Sequence, residues 1–238
     1  MNNHFVLFRR GAADGVPIGL GYLAVSFTFG IMASGAGLSV PQAVIMSAAN
    51  ITSAGQFAAL GIIQAGSSFF EMAMTQFVIN LRYCLMSCSL SQKLDPRLPL
   101  FHRLFVSYGV TDEIFGVSVS RPGTLDPFYS YGLMSVAIPG WVFGTFLGAL
   151  SGDLLPARLL SALNVALYGM FLAIVIPPAR ENRVLAGVIL VAMLFSLAFQ
   201  HLPVLSSISS GFRIIILTVL IAGAAAFLFP RKEDTDHA

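Results

Sequence analysis

Long stretches of this chain carry no charge. No Asp, Glu, Lys or Arg occurs between Val16 and Phe70, nor in Pro127–Gly152, Leu159–Ala179, Val184–Phe212 or Ile214–Pro230. A helix needs about 20 apolar residues to cross a bilayer core. The first run therefore predicts either two crossings, or one crossing and a broken hairpin that returns to the side it left. Two further apolar segments hold charges inside them, residues 71–90 with Arg82 and residues 104–120 with Asp112 and Glu113. The pattern predicts an all-α integral membrane protein with about six to eight hydrophobic segments joined by short loops. Nothing resembles the alternating strands of a barrel. Arg9 and Arg10 followed by an apolar run mimic a signal peptide. Because the apolar character then continues along the chain, a retained first helix is expected.

Composition agrees. Of 238 residues, 56% are hydrophobic and only 10% charged, with a mean hydropathy of +0.82. A soluble domain is about one-quarter charged, so a soluble enzyme, a nucleic-acid binder and a disordered chain are excluded. The net charge of +2 comes from scattered basic residues, with no stripe to follow a phosphate backbone. Cys84 and Cys88, one helical turn apart, read as packing residues. No His-Glu-x-x-His, Gly-x-Ser-x-Gly or Walker motif is present, and no cofactor or metal is expected.

An internal repeat shows at an offset of about 114 residues. Ser47-Ala-Ala-Asn50 with Gly55 and Phe57 matches Ser161-Ala-Leu-Asn164 with Gly169 and Phe171, and Phe29-Gly30 matches Phe143-Gly144. This divides a single transmembrane domain, residues 1–238, into repeats of about 11–120 and 127–230. Loop charge suggests how they are related, because Lys and Arg favour the cytoplasmic side. With residues 39–66 and their repeat counterpart both re-entrant, Arg9, Arg10, Lys93, Arg97 and Arg103 share the inside. Arg121 and Arg213 remain outside, and the two repeats are inverted. A single tilted crossing by residues 39–66 is the alternative.

Two constellations could carry chemistry. An unpaired charge inside a membrane costs several kcal/mol, and Arg82, Asp112 and Glu113 lie at similar distances from the loop around Arg97. In an antiparallel hairpin Arg82 pairs with one carboxylate. The other, about 100° away round the helix, then faces a substrate ammonium, a proton path or Asn80. A closed ion-pair network that only fixes helix packing is the competing reading. The second constellation runs from Ser47 through Asn50, Ser53, Gly55 and Gln56 to Phe57. Its small and polar residues allow a break whose half-helix ends bind charged groups, or else a close helix–helix contact. Asn164 and Gly169 are its counterparts. In a transporter built this way, Gly55, Gln56 and Gly169 would hold a substrate carboxylate. Phe57, Leu60 and Phe171 would receive an apolar side chain, and the two repeats would rock to alternate access.

Four stretches resemble the AzlC family, the large subunits of bacterial branched-chain amino acid exporters. They are Gly15-Val-Pro17-Ile-Gly-Leu-Gly-Tyr22 running into Phe29-Gly30, Ala54-Gly55-Gln56-Phe57, Asn80-Leu-Arg82-Tyr83 with Ser87, and Thr111-Asp112-Glu113-Ile-Phe115. The resemblance spans residues 11–225 and is densest in the first half. Thr52-Ser53 and Tyr83 depart from the family pattern. The resemblance implies a multi-pass permease of the bacterial inner membrane that exports branched-chain and other large neutral amino acids. It also implies a small hydrophobic partner subunit of the AzlD type. Coupling to an ion or proton is expected. A transporter of another small solute on the same fold, and a non-transporting membrane scaffold, stay open as alternatives.

Overall fold

The computed structural model describes residues 3–151, 172, 176, 179–201 and 208–229. Among these the chain is helical, without a named strand. The helices are α1 (Asn3–Gly35), α2 (Val40–Ala49), α3 (Ala54–Gln64), α4 (Phe69–Lys93), α5 (Leu100–Tyr108), α6 (Asp112–Val119), α7 (Pro127–Ser151), α8 (Arg183–His201) and α9 (Ser210–Leu228). Two of them, α1 and α7, are long and apolar enough to cross a membrane. The chain packs as two units, Met1–Leu60 with Asn80–Leu167, and Gly61–Ile79 with Tyr168–Ala238.

The first unit is organised around α1 and α7. Their glycines bring the two backbones into contact, in the manner of small-residue packing in membranes. A Cβ on Gly30 would sit 2.2 Å from the Thr145 carbonyl oxygen, and one on Gly148 only 1.9 Å from that of Phe27. The contacts climb together, Gly11 against Tyr129, Gly19 against Val136 and Gly30 against Thr145 and Ala149, so α1 and α7 run parallel. An inverted relation between the two repeats would have set Phe29-Gly30 and Phe143-Gly144 on antiparallel helices. The glycine seam holds them on parallel ones. The second copy of the longer motif, Ser161 to Phe171 with Asn164 and Gly169, lies outside the described residues. Pro17 and Pro139 sit inside continuing helices. Cys84 and Cys88, expected to pack, are exposed on α4.

Beside them, with the later part of α4, stand two V-shaped pairs of half-length helices. Pro41 sits in the first turn of α2, and the Gln42 side chain accepts the Ser39 N–H at 2.8 Å. The helix runs ten residues, about 15 Å, which is half of a bilayer core. It breaks at residues 50–53, and α3 turns back. Leu60 of α3 rejoins Ala43, Phe29, Ala33 and Ala149 in one buried cluster. The second V is the opposite way up. His102 at the start of α5 meets the Tyr131 hydroxyl at 2.7 Å. After a break at residues 109–111, α6 returns to the same end, where Lys93 donates to the carbonyls of Val119 and Arg121.

That end also holds the start of α1, since the Tyr129 hydroxyl donates to Asp14 at 2.7 Å. Arg121, expected on the opposite face from Lys93, is here as well, 3.9 Å from Asp14 and over the Tyr129 ring. The cause is the fold-back of α5 and α6. Residues 104–120 form the arms of a V, so the chain does not change sides along them.

In the second unit, Asn182 caps α8 by accepting the N–H groups of Val184 and Leu185 at 2.9 and 3.1 Å. Helices α8 and α9 flank an apolar cleft lined by Val188, Phe195, Leu217 and Ile221 among others. Ser209, before α9, donates to the buried carboxylate of Glu71.

Candidate functional site

The tips of the two Vs meet in the middle of the first unit, and a tyrosine from a long helix grips each. Tyr22 of α1 hydrogen-bonds Thr111 at 2.6 Å and Glu113 at 2.5 Å, at the tip of α5–α6. Tyr83 of α4 donates to the Thr52 carbonyl at 3.3 Å, at the tip of α2–α3. Tyr108, at the end of α5, donates to the Ala48 carbonyl near the end of α2. The grips are reciprocal: helix–V–tyrosine recurs at a spacing of about 60 residues, with each tyrosine holding the other copy's break. Trp141 lies edge-on to Tyr22, ring centroids 5.4 Å apart, and backs it in the core.

A cavity of about 210 Å³ opens between the tips, lined by Asn50, Ile51, Thr52, Tyr83, Tyr108 and Val110 among others. A second cavity of about 180 Å³ shares Ser107 and Val110 with it and reaches Arg103. Broken helices suit such a place. The C-terminal carbonyls of α2 present partial negative charge, and the N-terminal amides of α3 present partial positive charge. Ser53, in the break, has φ +47°. This is a left-handed conformation that costs a non-glycine residue about 1–2 kcal/mol, and such outliers cluster at ligand sites and switches.

Arg82 and Asp112 form the ion pair expected of one carboxylate, Nη1 to Oδ2 at 2.7 Å. Arg82 also reaches the Tyr83 hydroxyl at 3.4 Å. Asp112 and Glu113 occupy the first turn of α6, where the helix dipole favours anions. Thr111 caps it by accepting the Ile114 N–H at 3.3 Å. Asn80 lies half-buried on α4 near Arg82.

The other sequence candidates divide. Asn50 lines the cavity, and Ser53 and Gly55 belong to the adjoining break. Gln56 is fully buried, and its Nε2 donates to Ser47 Oγ at 3.0 Å. Ser47 meets Thr145 Oγ1 at 2.7 Å, and Thr145 donates to the Trp141 carbonyl at 3.0 Å. This chain of bonds ties both arms of the first V to α7. Phe57 and Leu60 do not line the cavity. Phe57 stacks edge-on against Phe29, and Leu60 is sealed in the same cluster. Tyr108 and Thr145 were not singled out by sequence, because a lone hydroxyl on an apolar helix carries no pattern. Gln56→Leu is expected to lower the thermal midpoint of purified protein by about 2–4 °C, the loss of one bond of about 1 kcal/mol. Combining it with Ser47→Ala should add less than the sum of the two single changes.

A family model described as AzlC protein matches residues 17–155. The Escherichia coli inner membrane protein YgaZ is 29% identical over 223 residues, covering 90% of this chain and 90% of that protein. An uncharacterized membrane protein of Archaeoglobus fulgidus is 32% identical over 184 residues, 76% of this chain and 80% of the relative. One of Helicobacter pylori strain J99 is 23% identical over 159 residues, 64% and 68% of the two chains. No solved structure matches.

Proposed function

This chain belongs to the AzlC family, and from that premise we propose that it is the large subunit of an amino acid exporter. It works with a small hydrophobic subunit of the AzlD type in a bacterial inner membrane. Its cargo is branched-chain and other large neutral amino acids, and export is coupled to an ion or proton.

The observation that carries this reading is the cavity at the meeting of two broken helices. In lipid, irregular backbone is tolerated only where protein buries it or where it lines an aqueous cavity. Transporters place substrate at such breaks. A free amino acid is a zwitterion, so its site must offer both signs at short range. The α2 carbonyl end, at Ala49 and Asn50, would take the ammonium, the break leading into the α3 amide end would take the carboxylate, and Ile51 and Val110 supply an apolar wall for an aliphatic side chain. Apolar walls separate neighbouring side chains by only about 1–3 kcal/mol per methylene, so several cargoes are expected.

Each V is read as a re-entrant hairpin, one from each face of the membrane, with α1, the 25-residue α4 and α7 crossing. Arg9, Arg10, Lys93, Arg97, Arg103 and Arg121 then lie on one side, and Arg82 is the remaining basic residue between residues 3 and 151. The positive-inside rule makes that side cytoplasmic.

The test is efflux of preloaded labelled leucine, valine and methionine from cells making this chain with and without the small subunit. Efflux is expected only with both. Absence of efflux for all three, with both subunits shown to be folded in the membrane, overturns the proposal.

A further inference from the structure

We infer that Glu113, and not Asp112, is the group that takes up and releases the coupling proton, through a hydrogen-bond chain with Tyr22 and Thr111. This rests on the transport reading above and assigns its coupling to one residue.

The tip of α5–α6 holds two carboxylates. Among the described residues the charged and titratable groups that face Glu113 are Tyr22 from α1, Arg82 and Tyr83 from α4, and Asp112 beside it on α6. The single guanidinium is committed to Asp112 at 2.7 Å. With both acids ionised, the cluster carries one uncompensated negative charge at membrane depth, which is costly. A zwitterionic substrate has no net charge and leaves that excess in place. A proton removes it. Asp112 has the guanidinium beside it, whereas the contact of Glu113 is the Tyr22 phenol, so Glu113 is the carboxylate with no cation against it among the described residues and the one assigned the proton.

The hydrogen bonds supply a readout. Tyr22 approaches both Glu113 and Thr111 but has one proton to give. When Glu113 is ionised it can only accept, so Tyr22 donates to it and Thr111 donates to Tyr22. When Glu113 is protonated it can donate to the Tyr22 oxygen, and Tyr22 then donates to Thr111. The added proton resides on Glu113 while every hydrogen bond in the chain reverses direction. The charge-assisted bond is lost in that state, and charge-assisted bonds are roughly twice as strong as neutral ones. Because Thr111 caps α6, protonation of Glu113 loosens the hold of α1 on the tip of this V beside the cavity.

The experiment uses the two-subunit complex in proteoliposomes, with two readouts. Labelled leucine movement is measured under an imposed pH gradient and as counterflow at equal pH. Separately, the carboxylic-acid C=O stretch is followed by infrared difference spectroscopy on the substrate-free protein as pH is changed. Glu113→Gln is expected to reduce gradient-driven flux about tenfold or more, to keep counterflow, and to abolish a pH-dependent carboxyl band. Glu113→Asp is expected to restore part of the band. The band should persist in Asp112→Asn. A band that survives in Glu113→Gln, or gradient-driven flux that is undiminished in it, overturns the assignment. So does counterflow lost in equal measure with gradient-driven flux. If wild-type protein moves no leucine while the Glu113 band is present, the cargo proposal fails and the protonation site stands. Absence of the band in wild-type protein overturns the site whatever the cargo.

Discussion

A Gly148→Val chain is expected not to accumulate as folded protein. A Cβ at that position would stand 1.9 Å from the Phe27 carbonyl oxygen and 2.8 Å from its carbon. Both are backbone atoms of a helix, so no side chain can swing aside. Relief requires the whole of α1 to move off α7, which strips the seam at Gly11, Gly30 and Gly132 as well. Ordinary overpacking costs about 1–3 kcal/mol, and loss of a seam this long exceeds that, against a total stability of about 5–15 kcal/mol. Gly187→Val on α8, where a Cβ meets nothing within 4 Å, should accumulate normally. Fluorescence-detected size exclusion of solubilised membranes distinguishes the two. Equal monodisperse peaks would show that the seam is not required.

Removing Arg82 is expected to have the second-largest effect. Arg82→Ala leaves Asp112 and Glu113 together without their cation. Breaking a buried pair in this way costs about 3–5 kcal/mol. The side chains of Arg82 and Asp112 are 40% and 34% exposed, so the cost falls below that of a buried pair. Arg82→Ala with Asp112→Ala should regain much of the lost thermal midpoint, because no unpaired charge is created, but should not regain efflux. Recovery of both would make the pair mere packing and favour the non-transporting scaffold. A double variant as unstable as Arg82→Ala alone would show that the guanidinium acts through contacts other than Asp112.

Hydropathy made the helical membrane character and the first V readable. Ser39 and Pro41 mark a helix start, and Asn50 to Gly55 interrupt a charge-free run too long for one crossing. The second V was equally written, in Pro99, Gly109 and the Thr111 cap before Asp112-Glu113. The apolar span of residues 104–120 masked it, since hydropathy averages over a break of three residues. A pair between Arg82 and one of the two carboxylates, Asp112 or Glu113, was anticipated from an assumed hairpin symmetric about Arg97. The structure reaches the same pair by another route: α5 climbs, turns at Gly109, and sets Asp112 at the top of a descending arm. Both routes bring Asp112 level with Arg82. The tyrosine grips were illegible, since their meaning depends on which break each helix passes.

The glycine seam decides where motion can occur. Rocking the two repeats against each other would require α1, which leads one, to shear past α7, which leads the other. Interlocked backbones have no soft coordinate along which to slide, so these two helices serve as a fixed rail. The compliant parts are the breaks at residues 50–53 and 109–111, held by the hydroxyls of Tyr22, Tyr83 and Tyr108, whereas the arms of the first V are tied to α7 through Gln56, Ser47 and Thr145. For the exporter proposed above, access to the cavity from either face would resemble a pair of opposed latches on a stiff frame, and substitutions that change turnover without changing stability should concentrate in residues 50–53 and 109–111.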